Sequence, residues 1–182
     1  MSSLNYDSDC SQLLSTHVCD QCPDTESGRI GTVFLVDDDI EFVDPQDIAE
    51  WTTFIEAGRI QVIPNVRGSF NGGTPVKKPA FGRIKEKLTS YDFEAEYTDE
   101  VLYGNWEHYN TLGKVVNKRL WWLTETQLWM TDAPASFSPN TPITDSTDDG
   151  VYYVTSVTWS SSNLPEHITA PAGLEQCFTV VP

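Results

Sequence analysis

The chain has 182 residues, the length of one compact domain, and 39% are hydrophobic, enough for a buried core and against disorder throughout. Its 27 acidic residues against 11 basic ones leave a formal charge of −16, which argues against a surface built to displace counterions from nucleic acid. No run approaches the roughly 20 apolar residues of a membrane-spanning helix, and the opening MSSLNYDSDCSQ has neither the basic nor the apolar part of a secretory signal.

Residues 1–27 are polar and hold three of the four cysteines, so they read as an extended arm ahead of a single β-rich domain, 28–182. GRIGTVFLV (28–36), β-branched and bounded by Gly and Asp, predicts a strand. A helix follows, with Asp44 as N-cap, Pro45 at the tolerated first position and Gly58 as the stop; Ile48, Trp51 and Ile55 fall on one face. RIQVIP (59–64) is a short strand. The Gly and Pro density of 65–82 predicts a long, mobile loop with no regular element. Residues 88–97 alternate, Tyr91, Phe93, Ala95 and Tyr97 against Asp92, Glu94 and Glu96, as a half-buried strand does.

A second helix is expected from a cap at Thr98 or Asp99 to Leu112, with Leu102, Trp106, Tyr109 and Leu112 as its packing face. KRLWWLTETQLWM (118–130) reads as a strand or a hairpin, 132–150 as another breaker-rich loop, VYYVTSVTW (151–159) as a strand and QCFTVVP (176–182) as a terminal one. The expected fold is mainly β: a sandwich or barrel of six to seven strands with one or two flanking short helices.

Charge is sharply segregated. Residues 1–50 carry 12 acids and one base, Arg29. Residues 58–87 invert this, with Arg59, Arg67, Lys77, Lys78, Arg83, Lys85 and Lys87 against Glu86 alone. Beyond Arg119 there are seven acids and no Lys or Arg. A basic stretch set in an acidic body suits either a solvated surface or head-to-tail docking between copies, where unlike patches steer encounter and fix register.

No nucleophile elbow, phosphate loop or dinucleotide fingerprint is present, and His17, His108 and His167 have no motif partner, so no enzyme activity is expected. Asp37, Asp38 and Asp39 lack the spacing of a calcium loop. His17, Cys19 and Cys22 form H-x-C-x-x-C, half of a structural zinc site that Cys10 or Cys177 could complete; ordinary thiols and a disulfide are the other readings. Six tryptophans raise a carbohydrate-binding alternative, against which stands their position in predicted regular elements.

Read as a unit, KLTSYDFEAEYTDEVLYGNWEHYNTLGKVVNKRLWWLTETQLWM (87–130) resembles structural proteins from tailed phages of gut Bacteroidota, including the crAss-like group. The shared pattern is an acidic strand (Tyr91 to Asp99), an aromatic-Asn-Thr-Leu helix end (Trp106 to Leu112, with Tyr109, Asn110 and Thr111) and Thr124-Glu125-Thr126-Gln127. NYDSDC, CDQCP, GRIGTVFLV and LPEHITAPAGLEQCF extend it to both ends; 65–82 matches least. The resemblance implies a virion protein, a ring-forming tail-tube or tail-barrel subunit assembled in the bacterial cytoplasm, with capsid decoration or head–tail joining as the neighbouring roles. It implies partnership with copies of itself and other virion proteins, no membrane, and DNA only in passage. Lys77, Lys78, Arg83, Lys85 and Lys87 then belong at subunit contacts, and Asp92, Glu94 and Glu96 line a channel that must repel phosphate, plain contact with water being the other reading of that face.

Overall fold

A computed structural model describes residues 28–79, 82, 86–101, 104–143, 145 and 150–174. The arm 1–27 and the expected strand 176–182 lie outside these residues.

β1 (Thr32–Asp37) organises the molecule. It is buried at five successive positions, Thr32 to Val36, which a strand reaches only with cover on both faces. It is flanked antiparallel by β2 (Ile60–Ile63) and β6 (Lys118–Leu123); β7 (Gln127–Met130) pairs with β6, and β10 (Glu166–Thr169) closes that edge. The second sheet runs β3 (Arg67–Phe70), β5 (Glu86–Asp99), β9 (Tyr153–Ser161), β8 (Ser136–Asn140), and β4 (Thr74–Pro79) also pairs with β5.

The two sheets meet in one core. Val33, Leu35, Leu120 and Trp122 of the first pack with Phe93, Ala95, Tyr97, Val157 and Trp159 of the second. The other face of the first sheet, with Phe34, Val36, Trp121 and Leu128, is covered by α1 (Ile48–Glu56). Trp51 of α1 is fully buried there, edge-on to Phe34 at 5.3 Å and to Trp121 at 5.9 Å, and its indole N–H donates to the Pro45 carbonyl at 2.9 Å. The outer face of the second sheet has no layer over it among the described residues, giving helix, sheet, sheet and then a polar surface.

The mainly-β sandwich with two short helices is as expected, but the described residues hold ten strands, not six or seven. The first helix is capped by Asp47, whose carboxylate accepts from the Ala49 N–H at 2.9 Å; Asp44 instead accepts from Gln46 at 2.9 Å in a turn before the helix. Gly58, at φ 71°, ends it as expected. The second helix, α2 (Trp106–Leu112), starts later than expected because Thr98 and Asp99 still belong to β5; Tyr109 and Leu112 pack inward, whereas Trp106 is 64% exposed and not part of a packing face. Leu102 lies outside the described residues.

The expected loop 65–82 holds two strands among its described residues. Its β3 and β4 lie in succession on one edge of β5, where prolines lose no inward ladder bond. Gly68 is inside β3 because a Cβ there would come within 2.8 Å of the Glu96 carbonyl oxygen. Between the two strands Asn71 takes over the ladder. Its N–H donates to the Glu94 carbonyl at 3.0 Å, and its side-chain oxygen accepts from the N–H groups of Glu94 at 3.1 Å and Gly73 at 2.9 Å. The expected loop 132–150 likewise contains β8, held by β9.

Candidate functional site

The basic stretch forms a two-stranded ribbon. β9 pairs with β5 only from Tyr91 onward, so residues 86–90 of β5 have β4 as their sole described partner. At about 3.3 Å per residue this reaches roughly 16 Å past the end of β9. Nearly every residue of the ribbon is exposed, including Leu88 at 41%. The register passes from Val76↔Ser90 to Lys77↔Leu88, leaving Thr89 as an extra residue whose hydroxyl donates to the Val76 carbonyl at 3.0 Å.

That bulge shifts the alternation by one. Lys78 stands directly opposite Lys87 on the face that carries Asp92, Glu94 and Glu96 farther along β5. Lys77, Glu86 and Leu88 share the other face, consistent with the 3.8 Å ion pair of Lys77 and Glu86. Two like charges facing across a ladder destabilise it unless an anion lies over them. Of the residues expected at subunit contacts, Lys77, Lys78 and Lys87 are thus gathered on one projection; Arg83 and Lys85 lie outside the described residues.

Asp92, Glu94 and Glu96 are exposed on the outer face of the second sheet, as their alternation requires. Their cross-strand neighbours are Ser160, Thr158 and Ser156, and the Ser160 hydroxyl donates to Asp92 at 2.7 Å. The result is a polar, anionic surface of short side chains with no described base beside the carboxylates.

A second polar constellation was not expected from the sequence. Asp99, 4% exposed, accepts from the Tyr109 hydroxyl at 2.7 Å, the Asn105 side-chain amide at 3.0 Å and the Val101 N–H at 2.9 Å, tying α2 to the end of β5. Tyr109 also stacks on Tyr153 at 4.1 Å. Burial, with Tyr97 and Asp99 nearby, raises the Tyr109 hydroxyl pKa far above its ordinary value. His108 borders the same groove of about 590 Å³; its Nε2 is buried without a hydrogen-bond partner, and burial lowers its pKa against the opposing pull of Asp99. One signal could have found Asp99: it continues the series Tyr91, Phe93, Ala95, Tyr97 onto the core face, where a carboxylate needs donors.

The zinc candidates His17, Cys19, Cys22 and Cys177, with Cys10, lie outside the described residues. Among the described residues no group of three His, Cys, Asp or Glu is placed to hold a metal ion, and no helix is long and apolar enough to cross a membrane. No family model, curated protein or solved structure matches the chain.

Proposed function

We propose that this chain is a non-enzymatic structural subunit that associates with copies of itself around an axis, as a tail-tube or tail-barrel ring of a phage virion. The observation that carries this reading is the ribbon. An isolated two-stranded ribbon is marginal in water, and this one also sets Lys78 against Lys87. Contact with an anionic neighbour relieves both costs, and the chain itself, at −16, supplies anionic surface in excess. The resemblance of 87–130 to virion proteins supports the tail over other assemblies.

In such a ring the outer face of the second sheet, with Asp92, Glu94 and Glu96, lines the channel. Carboxylates there leave passing DNA without the cation contacts that would hold it. Assembly in the host cytoplasm, other virion proteins at the ring faces and the absence of any membrane partner belong to the same proposal. The tryptophans favour assembly over sugar binding: Trp51, Trp121, Trp122 and Trp159 are buried and Trp129 packs against the core, leaving Trp106 as the single exposed one. The H-x-C-x-x-C spacing supports a structural zinc held by His17, Cys19, Cys22 and Cys177, which metal analysis of the purified protein tests.

The decisive experiment is native mass of the full chain over a concentration series at low and high salt. Wild type is expected to form particles several times the chain mass that shrink as salt rises, with Lys77→Glu/Lys78→Glu displaced toward monomer. A monomer at every concentration, in both salts, refutes the proposal.

A further inference from the structure

Resting on that self-assembly reading, we propose which surface receives the ribbon: a groove on the helix-covered side of the first sheet of a second copy. This groove, of about 460 Å³, is lined by apolar Phe42, Met130 and Leu164 together with Glu41, Asp132 and Glu166. Leu164 is 56% exposed, an unusual position for a large apolar side chain at the lip of an acidic groove. Among the described residues no Lys or Arg forms an ion pair with Glu41, Asp132 or Glu166.

The cation that does line the groove, Arg119, is spent on structure. Its guanidinium donates to the carbonyls of Asp37 and Ile40 and lies over the Trp121 ring at 5.4 Å. Its single charge leaves the three carboxylates Glu41, Asp132 and Glu166 in excess, with Asp38 adding to the same field; Asp39 is paired with Arg59.

The ribbon has the matching composition. Leu88 supplies an exposed apolar side chain on one face, with Lys77 directly opposite it, and Lys78 and Lys87 stand on the other face, so a ribbon that enters the groove edge-on turns one face to each wall. Seated edge-on in the groove, Leu88 meets Phe42, Met130 and Leu164 on one wall, while Lys78 and Lys87 on the opposite face meet Glu41, Asp132 and Glu166; Lys77 keeps its pair with Glu86. Each copy offers ribbon and groove at different places, so the contact is heterologous, the kind that closes into a ring when the rotation permits.

The test is a charge exchange in the full chain, read by sedimentation. Lys78→Glu/Lys87→Glu and, separately, Glu41→Lys/Glu166→Lys are each expected to weaken association by about tenfold or more, and the combined chain to recover most of it. Asp132 is left intact because it accepts from Ser161 and Asn163. Circular dichroism melting matched to wild type verifies that each variant folds. For a variant that misfolds, an oxidised mixture of Leu88→Cys and Leu164→Cys chains replaces it: a cross-linked heterodimer beyond what either chain forms alone supports the docking. Assembly lost on reversing the ribbon but untouched on reversing the groove overturns this inference and leaves the assembly reading standing, as does absence of recovery in well-folded chains or of the cross-link. A wild-type monomer removes both.

Discussion

Replacing Tyr109 by Phe removes one hydroxyl and leaves its stack on Tyr153 in place. The lost bond is the 2.7 Å donation to Asp99, buried and made to a carboxylate. Hydrogen bonds to charged groups contribute about 1.5–3 kcal/mol, so Tyr109→Phe should destabilise by about that amount. For a chain of this length each kcal/mol lowers Tm by about 2–4 °C, giving a fall of about 3–12 °C by thermal circular dichroism. Asp99→Ala should cost more, because it strips the acceptor from Asn105 and the Val101 N–H as well. In the double variant the two losses should overlap by about the bond's own contribution, since the second change finds nothing left to break. A Tm within about 1 °C of wild type for Tyr109→Phe, or strictly additive effects, would show that the carboxylate does not hold α2 through this hydroxyl.

His108 resists protonation in the folded protein, so the unfolded chain binds more protons near its ordinary pKa of about 6.5. Stability from this residue is full above that value and is lost as pH falls toward the depressed folded-state value. Melting curves from neutral to mildly acidic pH should fall more steeply for wild type than for His108→Phe, which keeps the ring against Tyr109; parallel curves would rule this out. Gly73 sits at φ 89°, and an added Cβ would lie 2.4 Å from the Phe93 ring. Gly73→Ala should therefore cost at least about 2 kcal/mol in denaturant unfolding, against little change for Thr74→Ala on the exposed edge; equal midpoints would contradict the close approach.

The strands that could be read from sequence are those whose side chains carry a period. β5 announces its two faces by alternation, and β1 is recognisable from its β-branched run, although nothing local says that it is covered on both sides. β3, β4 and β8 are illegible in sequence because Gly and Pro read locally as breakers. At an edge Pro75 and Pro79 need no donor, and Gly68 is where β5 comes too close for a side chain. Asp44 and Asp47 have equal cap chemistry; the choice falls to Asp47 because Asp44 is occupied by Gln46 and the Trp51 indole holds the Pro45 carbonyl outside the helix.

For the candidate site, the basic cluster and the anionic face were visible as composition. That Lys78 opposes Lys87 depends on one extra residue, Thr89, whose position only pairing with β4 defines. Asp99 resembles a cap because it borders a helix in sequence; its place at the buried end of β5 makes it an acceptor for that helix's Tyr109 instead.

The side chain of Asn71 acts as a splice between β3 and β4. β3 before it is locked to the sandwich, whereas β4 after it pairs with β5 alone. Reach is therefore an independent variable of this architecture: pairs of residues can be added to or trimmed from the finger without touching a single core contact. A lineage could retune the spacing between neighbouring copies by that route, holding the domain itself constant.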